Sequence, residues 1–224
     1  NMSVTKVTVN GMDMSSDVTL SGTTPTLTIG DAGAEDAAIV FDGNAQDFHI
    51  GLDDTADDLV IGKGSALGTT THMAFTEDGE ITKPLQPCML AVAASKQTNF
   101  ALDGDVTVVL GTEHFDIGSN FASNTFTAPV TGKYYIGYHI RLESVDTSAT
   151  YYYINIVTSN RTYLANVIAP VFSSDPGNWD MPATIITDLD ASDTVLLSIY
   201  QSGGTQQTDI AASPSTWLSI CLIA

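Results

Sequence analysis

The chain has 224 residues, 26 of them acidic and 7 basic, for a formal net charge of −19. Charge of that sign and size argues against phosphate backbones and anionic membrane surfaces as partners, and the longest apolar runs are too short to cross a bilayer, so neither nucleic acid nor membrane insertion is expected. Eighteen glycines, eight prolines and abundant Thr, Ser, Val and Ile, without any long stretch at a 3.6-residue apolar period, point to an all-β protein with little helix.

Val4, Val7 and Val9, then Val18 and Leu20, lie on either side of Asn10-Gly11, a dipeptide suited to a tight turn. Residues 1–24 are expected to form two short strands that cannot fold alone and serve for attachment. From 25 to 83 the order apolar, x, apolar recurs at Leu27 and Ile29, at Ile39 and Phe41, at Phe48, Ile50 and Leu52, at Leu59 and Ile61, at Met73 and Phe75, and ends at Ile81. Acidic turns separate these strands, among them Asp42-Gly43-Asn44, Asp53-Asp54-Thr55-Ala56-Asp57-Asp58 and Glu77-Asp78-Gly79. Each strand offers too few apolar side chains to offset the entropy of ordering one chain. The expectation is an acidic β-repeat stalk in which three copies share a core, with a small β domain carrying a long loop as the alternative. Lys83-Pro84-Leu85-Gln86-Pro87 then interrupts the pattern, and its two prolines make residues 84–87 a stiff linker.

From Cys88 onward the strands lengthen, at 89–93, 106–110, 151–157, 163–167, 183–187, 195–200 and 217–223. Within residues 115–141, 124–128 and 134–140 alternate with Pro129 and Gly132 bracketing a turn, which reads as a hairpin. Its buried side would hold Phe126, Ala128, Tyr134, Ile136, Tyr138 and Ile140. Eight or more strands with turn signals at this spacing describe a sandwich or jelly roll over residues 88–224. Cys88 and Cys221 both lie in apolar runs and are expected to be buried free thiols, although neighbouring first and last strands would allow a bridge.

Phe126-Thr127-Ala128-Pro129-Val130-Thr131-Gly132-Lys133-Tyr134-Tyr135-Ile136 resembles the central signature of the C1q/TNF-like jelly-roll family, F-x-x-P-x-x-G-x-Y-x-F, with Ile136 in place of the last aromatic. Downstream, Leu189 to Val195 resembles the family's L-x-x-G-D-x-V, with Asp193 conforming and Ser192 in place of glycine, and the segment around Trp217 resembles the closing S-x-F-S-G-x-L strand. The resemblance implies a compact homotrimer that presents loops to ligands, in some relatives with calcium near the threefold axis. Residues 38–43 and 47–59 resemble the stalks of tailed-bacteriophage fibres, especially of marine phages. Together the two likenesses imply a trimeric virion fibre or spike. Its N-terminal part would join other virion structural proteins, and its head would bind a host cell-surface glycan or protein, or decorate the capsid or tail. The alternative is a non-viral secreted C1q-like recognition module, trimeric and calcium-dependent.

No enzymatic chemistry is expected. His49, His72, His114 and His139 are scattered without metal-ligand spacing, no G-x-S-x-G elbow occurs, and the paired carboxylates lie in short turns. The acidic run Asp53, Asp54, Asp57 and Asp58 lacks the EF-hand pattern and reads first as a solvated turn, then as a Ca2+ site shared between neighbouring chains; Asp103 and Asp105 are similar. No cofactor is required. Trp179, with Asp175 and Asn178 in the loop 173–180, is the candidate ligand contact, because loops on a rigid sandwich gather binding residues. In Tyr151-Tyr152-Tyr153, alternate rings are expected in the core and the others at a subunit interface.

Overall fold

A computed structural model of the chain describes residues 19–168 and 172–224. All regular structure among them is β, and the chain divides into two compact units, Asn1–Thr82 and Lys83–Ala224. Most of the strand pair expected in residues 1–24 lies outside the described residues, and 19–24 form no strand.

In the first unit, β1 (Ala37–Phe41), β2 (Phe48–Asp53), β3 (Asp58–Lys63), β4 (Thr71–Phe75) and β5 (Ile81–Thr82) make an antiparallel meander in chain order. Each apolar, x, apolar segment from Ile39 onward became a strand, whereas Leu27 and Ile29 lie in irregular chain. The acidic turns close tightly. Asp53 Oδ1 accepts from Thr55 N at 3.2 Å, and Asp57 takes a φ of 55°, a left-handed conformation that Asp tolerates. Residues 64–70 lie against one face of the sheet. There His49 is fully buried and its Nδ1–H donates to the Gly64 carbonyl at 2.9 Å. A side chain at Gly62 would strike the His49 ring, and one at Gly51 would strike Leu67 and the β1 backbone, so this close approach needs glycine.

The second unit contains β6 (Cys88–Val92), β7 (Val106–Thr107), β8 (Thr112–Asp116), β9 (Phe121–Ala122), β10 (Thr125–Thr127) and β11 (Gly132–Glu143). There follow β12 (Tyr151–Thr158), β13 (Thr162–Ile168), β14 (Asn178–Leu189), β15 (Thr194–Ser202), β16 (Asp209–Ile210) and β17 (Trp217–Leu222). One sheet runs β13-β12-β15-β10-β9 with β7 on β15; the other runs β14-β11-β17-β6-β8 with β16 on β11. Alternate side chains of both sheets meet in one core, and the unit is a jelly-roll sandwich.

The hairpin expected within residues 115–141 is not formed. β10 pairs with β9 and β15 in the first sheet, while β11 pairs with β14 and β17 in the second. Residues 128–131 carry the chain from one sheet to the other. Phe126, Ala128, Tyr134, Ile136, Tyr138 and Ile140 are nonetheless all buried, because both sheets turn alternate residues to the same core. Phe126 meets Tyr134 edge-on at 5.8 Å, and the Tyr134 hydroxyl donates to the Val130 carbonyl at 2.7 Å, which holds the crossing segment around Pro129 to the core. A side chain at Gly132 would strike the Ala224 carbonyl and Leu222. Ser192 adopts a φ of 77°, the conformation for which glycine is the usual choice at this position. Asp193 fastens the same corner, accepting from Ser159 Oγ at 2.6 Å and from Asp190 N at 2.8 Å.

Cys88 and Cys221 are directly opposite on β6 and β17, with their sulfurs 1.96 Å apart in a disulfide. The expectation of free thiols is corrected: the first and last strands of the sandwich are neighbours, which apolar flanks alone do not reveal.

Candidate functional site

On the first sheet, Tyr152, Ile154 and Ile156 of β12 and Val195, Leu197 and Ile199 of β15 point into the core. The period of two therefore sends Tyr151, Tyr153, Asn155 and Val157, with Leu196, Ser198 and Tyr200, to the outward face. Tyr153 and Tyr200 are directly opposite in the ladder, their rings 4.7 Å apart and nearly parallel; Tyr151 stacks on Tyr200 at 5.9 Å and on Tyr153 at 6.1 Å. Partial burial, with the Asp105 carboxylate beside it, pushes the Tyr153 hydroxyl above its ordinary pKa, and burial does the same to Tyr200. The Tyr153 and Tyr200 hydroxyls therefore stay neutral at physiological pH.

Beside the tyrosines, Asn155 Nδ2 donates to Asp105 Oδ1 at 3.3 Å and to Ser198 Oγ at 3.4 Å. Its Oδ1 is buried and has no hydrogen-bond partner among the described residues. Leu164 on β13, in register with Asn155, is more than half exposed. The ring faces of the three tyrosines are turned largely toward one another, which leaves little open π-surface for a sugar. What this face offers is a broad aromatic and aliphatic patch with one unmet acceptor, suited to packing against another protein surface.

The loop candidates take other roles. Trp179 is in β14 rather than in a loop, opposite Leu142, and packs edge-on against Tyr152 at 6.1 Å and Phe172 at 5.2 Å. The strand expected at 183–187 in fact begins at Asn178, and β14, as the edge of its sheet, accommodates Pro182. Asp175 accepts from Thr147 N at 2.8 Å, and Asn178 pairs with Glu143 in the ladder. These contacts tie the loop end together. Asp146, which the sequence did not single out, organises the same end: it is fully buried, and its carboxylate accepts from the backbone N–H groups of Ser148 at 2.7 Å, Gln206 at 2.8 Å and Thr205. Burial alone would raise its pKa, but these donors outweigh it and hold the group below the usual carboxylate range.

The acidic candidates do not converge. Asp53 and Asp58 face each other across the β2–β3 turn, the Asp54 amide donates to Asp36, and Asp57 sits in the turn. Asp103 Oδ1 accepts from Gly203 N at 2.8 Å, and Asp105 is bound to Asn155 and Ser198. Among the described residues, no three His, Cys, Asp or Glu side chains gather as metal ligands within one chain.

The outer face of the second sheet holds a different feature. An apolar concavity of about 400 Å³ is lined by Leu90, Val92, His114, Ser213, Pro214 and Trp217. The Trp217 ring stacks on His139 at 6.2 Å, His139 Nδ1–H donates to the Ser215 carbonyl at 2.6 Å, and Arg141 forks onto Asp180 at 2.7 and 3.1 Å. The Arg141 guanidinium holds the Asp180 carboxyl below its ordinary pKa. His139 stands between the indole and the Arg141–Asp180 pair, and neither member of that pair lines the concavity.

No family model and no curated protein matches the chain. Among solved structures it is similar to the globular domain of zebrafish complement 1qA protein, at 16% identity and a TM-score of 0.44, over 62% of this chain and 98% of that one. It is also similar to murine APRIL at pH 8.0, at 12% identity and a TM-score of 0.45, over 62% of this chain and 99% of that one. The jelly-roll assignment itself stands on the strand order described above.

Proposed function

We propose that this protein is a non-enzymatic, homotrimeric fibre or spike of a tailed-bacteriophage virion, whose jelly-roll unit trimerises through the outward tyrosine face and binds a host-surface glycan. The observation that carries the trimer is that face: Tyr151, Tyr153 and Tyr200 with Leu164 and the unmet Asn155 Oδ1. The Trp217 concavity is the favoured ligand site. Support for the virion setting is the likeness of residues 38–59 to fibre stalks, and the N-terminal unit would contact other virion proteins. Glycan-array binding by the full chain, with Trp217→Leu as the variant, tests the recognition half. Binding that is lost in a Trp217→Leu protein of unchanged circular dichroism supports the site; binding that persists places it elsewhere.

The Cys88–Cys221 disulfide favours an oxidising, extracellular setting, which a virion surface shares with the second reading, a secreted non-viral C1q-like recognition module. Mass spectrometry of purified phage particles separates the two: the protein is among the particle components in the first case and absent in the second.

A further inference from the structure

The five-stranded sheet of the first unit is built with its large side chains on the side opposite residues 64–70, exposed among the described residues. In register across it lie Phe41, Phe48 and Lys63; Ile39, Ile50, Ile61 and Met73; and Leu52, Leu59, Phe75 and Ile81. Eight of these apolar residues, Ile39, Phe41, Phe48, Ile50, Leu52, Leu59, Phe75 and Ile81, are each between 38% and 60% exposed. The other face, which residues 64–70 approach, carries Gly51, Gly62, Ala74, Val60 and His49 instead. A sheet with a single apolar face reaches stability by burying that face against another layer.

The exposed side chains present an apolar patch on the order of 700 Å², above the few hundred Å² typical of monomers and near the ~800 Å² per partner of a stable interface. All twelve acidic residues of 19–82 lie off this face, in turns or on the opposite side, and its one charge is Lys63. A face so uniformly apolar matches the permanent interfaces between copies of one chain, not the more polar surfaces of partners that come and go.

We infer that this face is a second self-association surface, covered in the assembled protein by the same face of other copies of the chain. The observation belongs to residues 37–82 alone, so the inference stands apart from the tyrosine face of the jelly roll. The ladders of Ile39, Ile50 and Ile61 and of Leu52, Leu59 and Phe75 become the shared core, and the acidic turns form its solvated rim.

The test uses the full chain carrying Ile50→Cys, an exposed position on the face, beside Val40→Cys, an exposed position on the opposite side of the sheet. The native cysteines are already bonded to each other, so the introduced thiol is the only one to react. On mild oxidation, Ile50→Cys is expected to give a dominant inter-chain disulfide product and at least a tenfold slower maleimide reaction than Val40→Cys. Leu59→Asp added to Ile50→Cys should abolish the product and restore fast labelling. Fast labelling of Ile50→Cys without inter-chain product overturns the inference. Slow labelling without inter-chain product overturns it too, since the chain's own residues would then cover the face. If Tyr153→Asp dissociates the jelly-roll units and the Ile50→Cys product persists, this surface stands while acting independently of the head. If the tyrosine variant changes nothing, the head interface fails and this one does not.

Discussion

Asp146→Asn isolates the group that organises the loop end of the sandwich. Its Oδ1 receives the Ser148 amide, and its Oδ2 receives those of Thr205 and Gln206. An asparagine of the same shape keeps one oxygen, which at best serves two donors and turns an NH2 group toward the third. One orphaned N–H plus the loss of charge on the remaining bonds costs about 2 kcal/mol, or about 4–8 °C in the melting of a unit this size. Because the folded-state pKa of Asp146 is lowered, its contribution is fully present above the unfolded value and is lost as pH falls through the folded one. Circular-dichroism melts of wild type and Asp146→Asn should therefore differ by the full amount at pH 7 and converge as the pH drops below about 4. Gly204→Ala attacks the same cluster from outside: Gly204 has a φ of 113°, and its new methyl would collide with the Asp146 carboxylate. Equal melting at pH 7, or a gap that does not narrow in acid, would refute the assignment of charged hydrogen bonds to Asp146.

Phe126→Ala removes a fully buried ring at the start of the crossing between sheets and should lower stability by about 3–5 kcal/mol in urea titration; a loss under about 1 kcal/mol would mean that it is not a core residue. Chelator should leave the melting temperature of the jelly-roll unit unchanged, since Asp103 and Asp105 are already occupied by Gly203, Asn155 and Ser198; a drop of several degrees would show a calcium site completed between chains. Iodoacetamide applied to the denatured, unreduced protein should add no mass and, after reduction, should modify both Cys88 and Cys221; modification without reductant would contradict the disulfide.

Much of this architecture is legible in the sequence, and the misses have common physical causes. Alternation at period two identified the burial of Phe126, Tyr134, Ile136 and Tyr138, but it reports only which way a side chain points. A strand facing the core from either sheet shows the same alternation, so the crossing at residues 128–131 looked like a hairpin. The turn residues Asp175-Pro176-Gly177-Asn178 run directly into β14, so the strand was expected only from 183 and Trp179 was placed in a loop. The disulfide depended on β6 and β17 being neighbours, a long-range fact. In the first unit, the strands were visible from Ile39 onward, but which face would be covered was not: that depended on Gly51 and Gly62 admitting residues 64–70. The split of Tyr151-Tyr152-Tyr153 into core and outward rings was legible from alternation, and only which ring is buried, Tyr152, was not. Asp146 gave no local signal, since its donors come from residues about sixty positions away as well as from Ser148.

Self-association through built surfaces is the centre of this account, and the solution mass tests it most directly. Light scattering of the purified full chain at micromolar concentration should give three times the 23.6 kDa chain mass, and Tyr153→Asp combined with Leu59→Asp should reduce it to one. A wild-type mass of a single chain would contradict both the tyrosine face and the stalk face as interfaces.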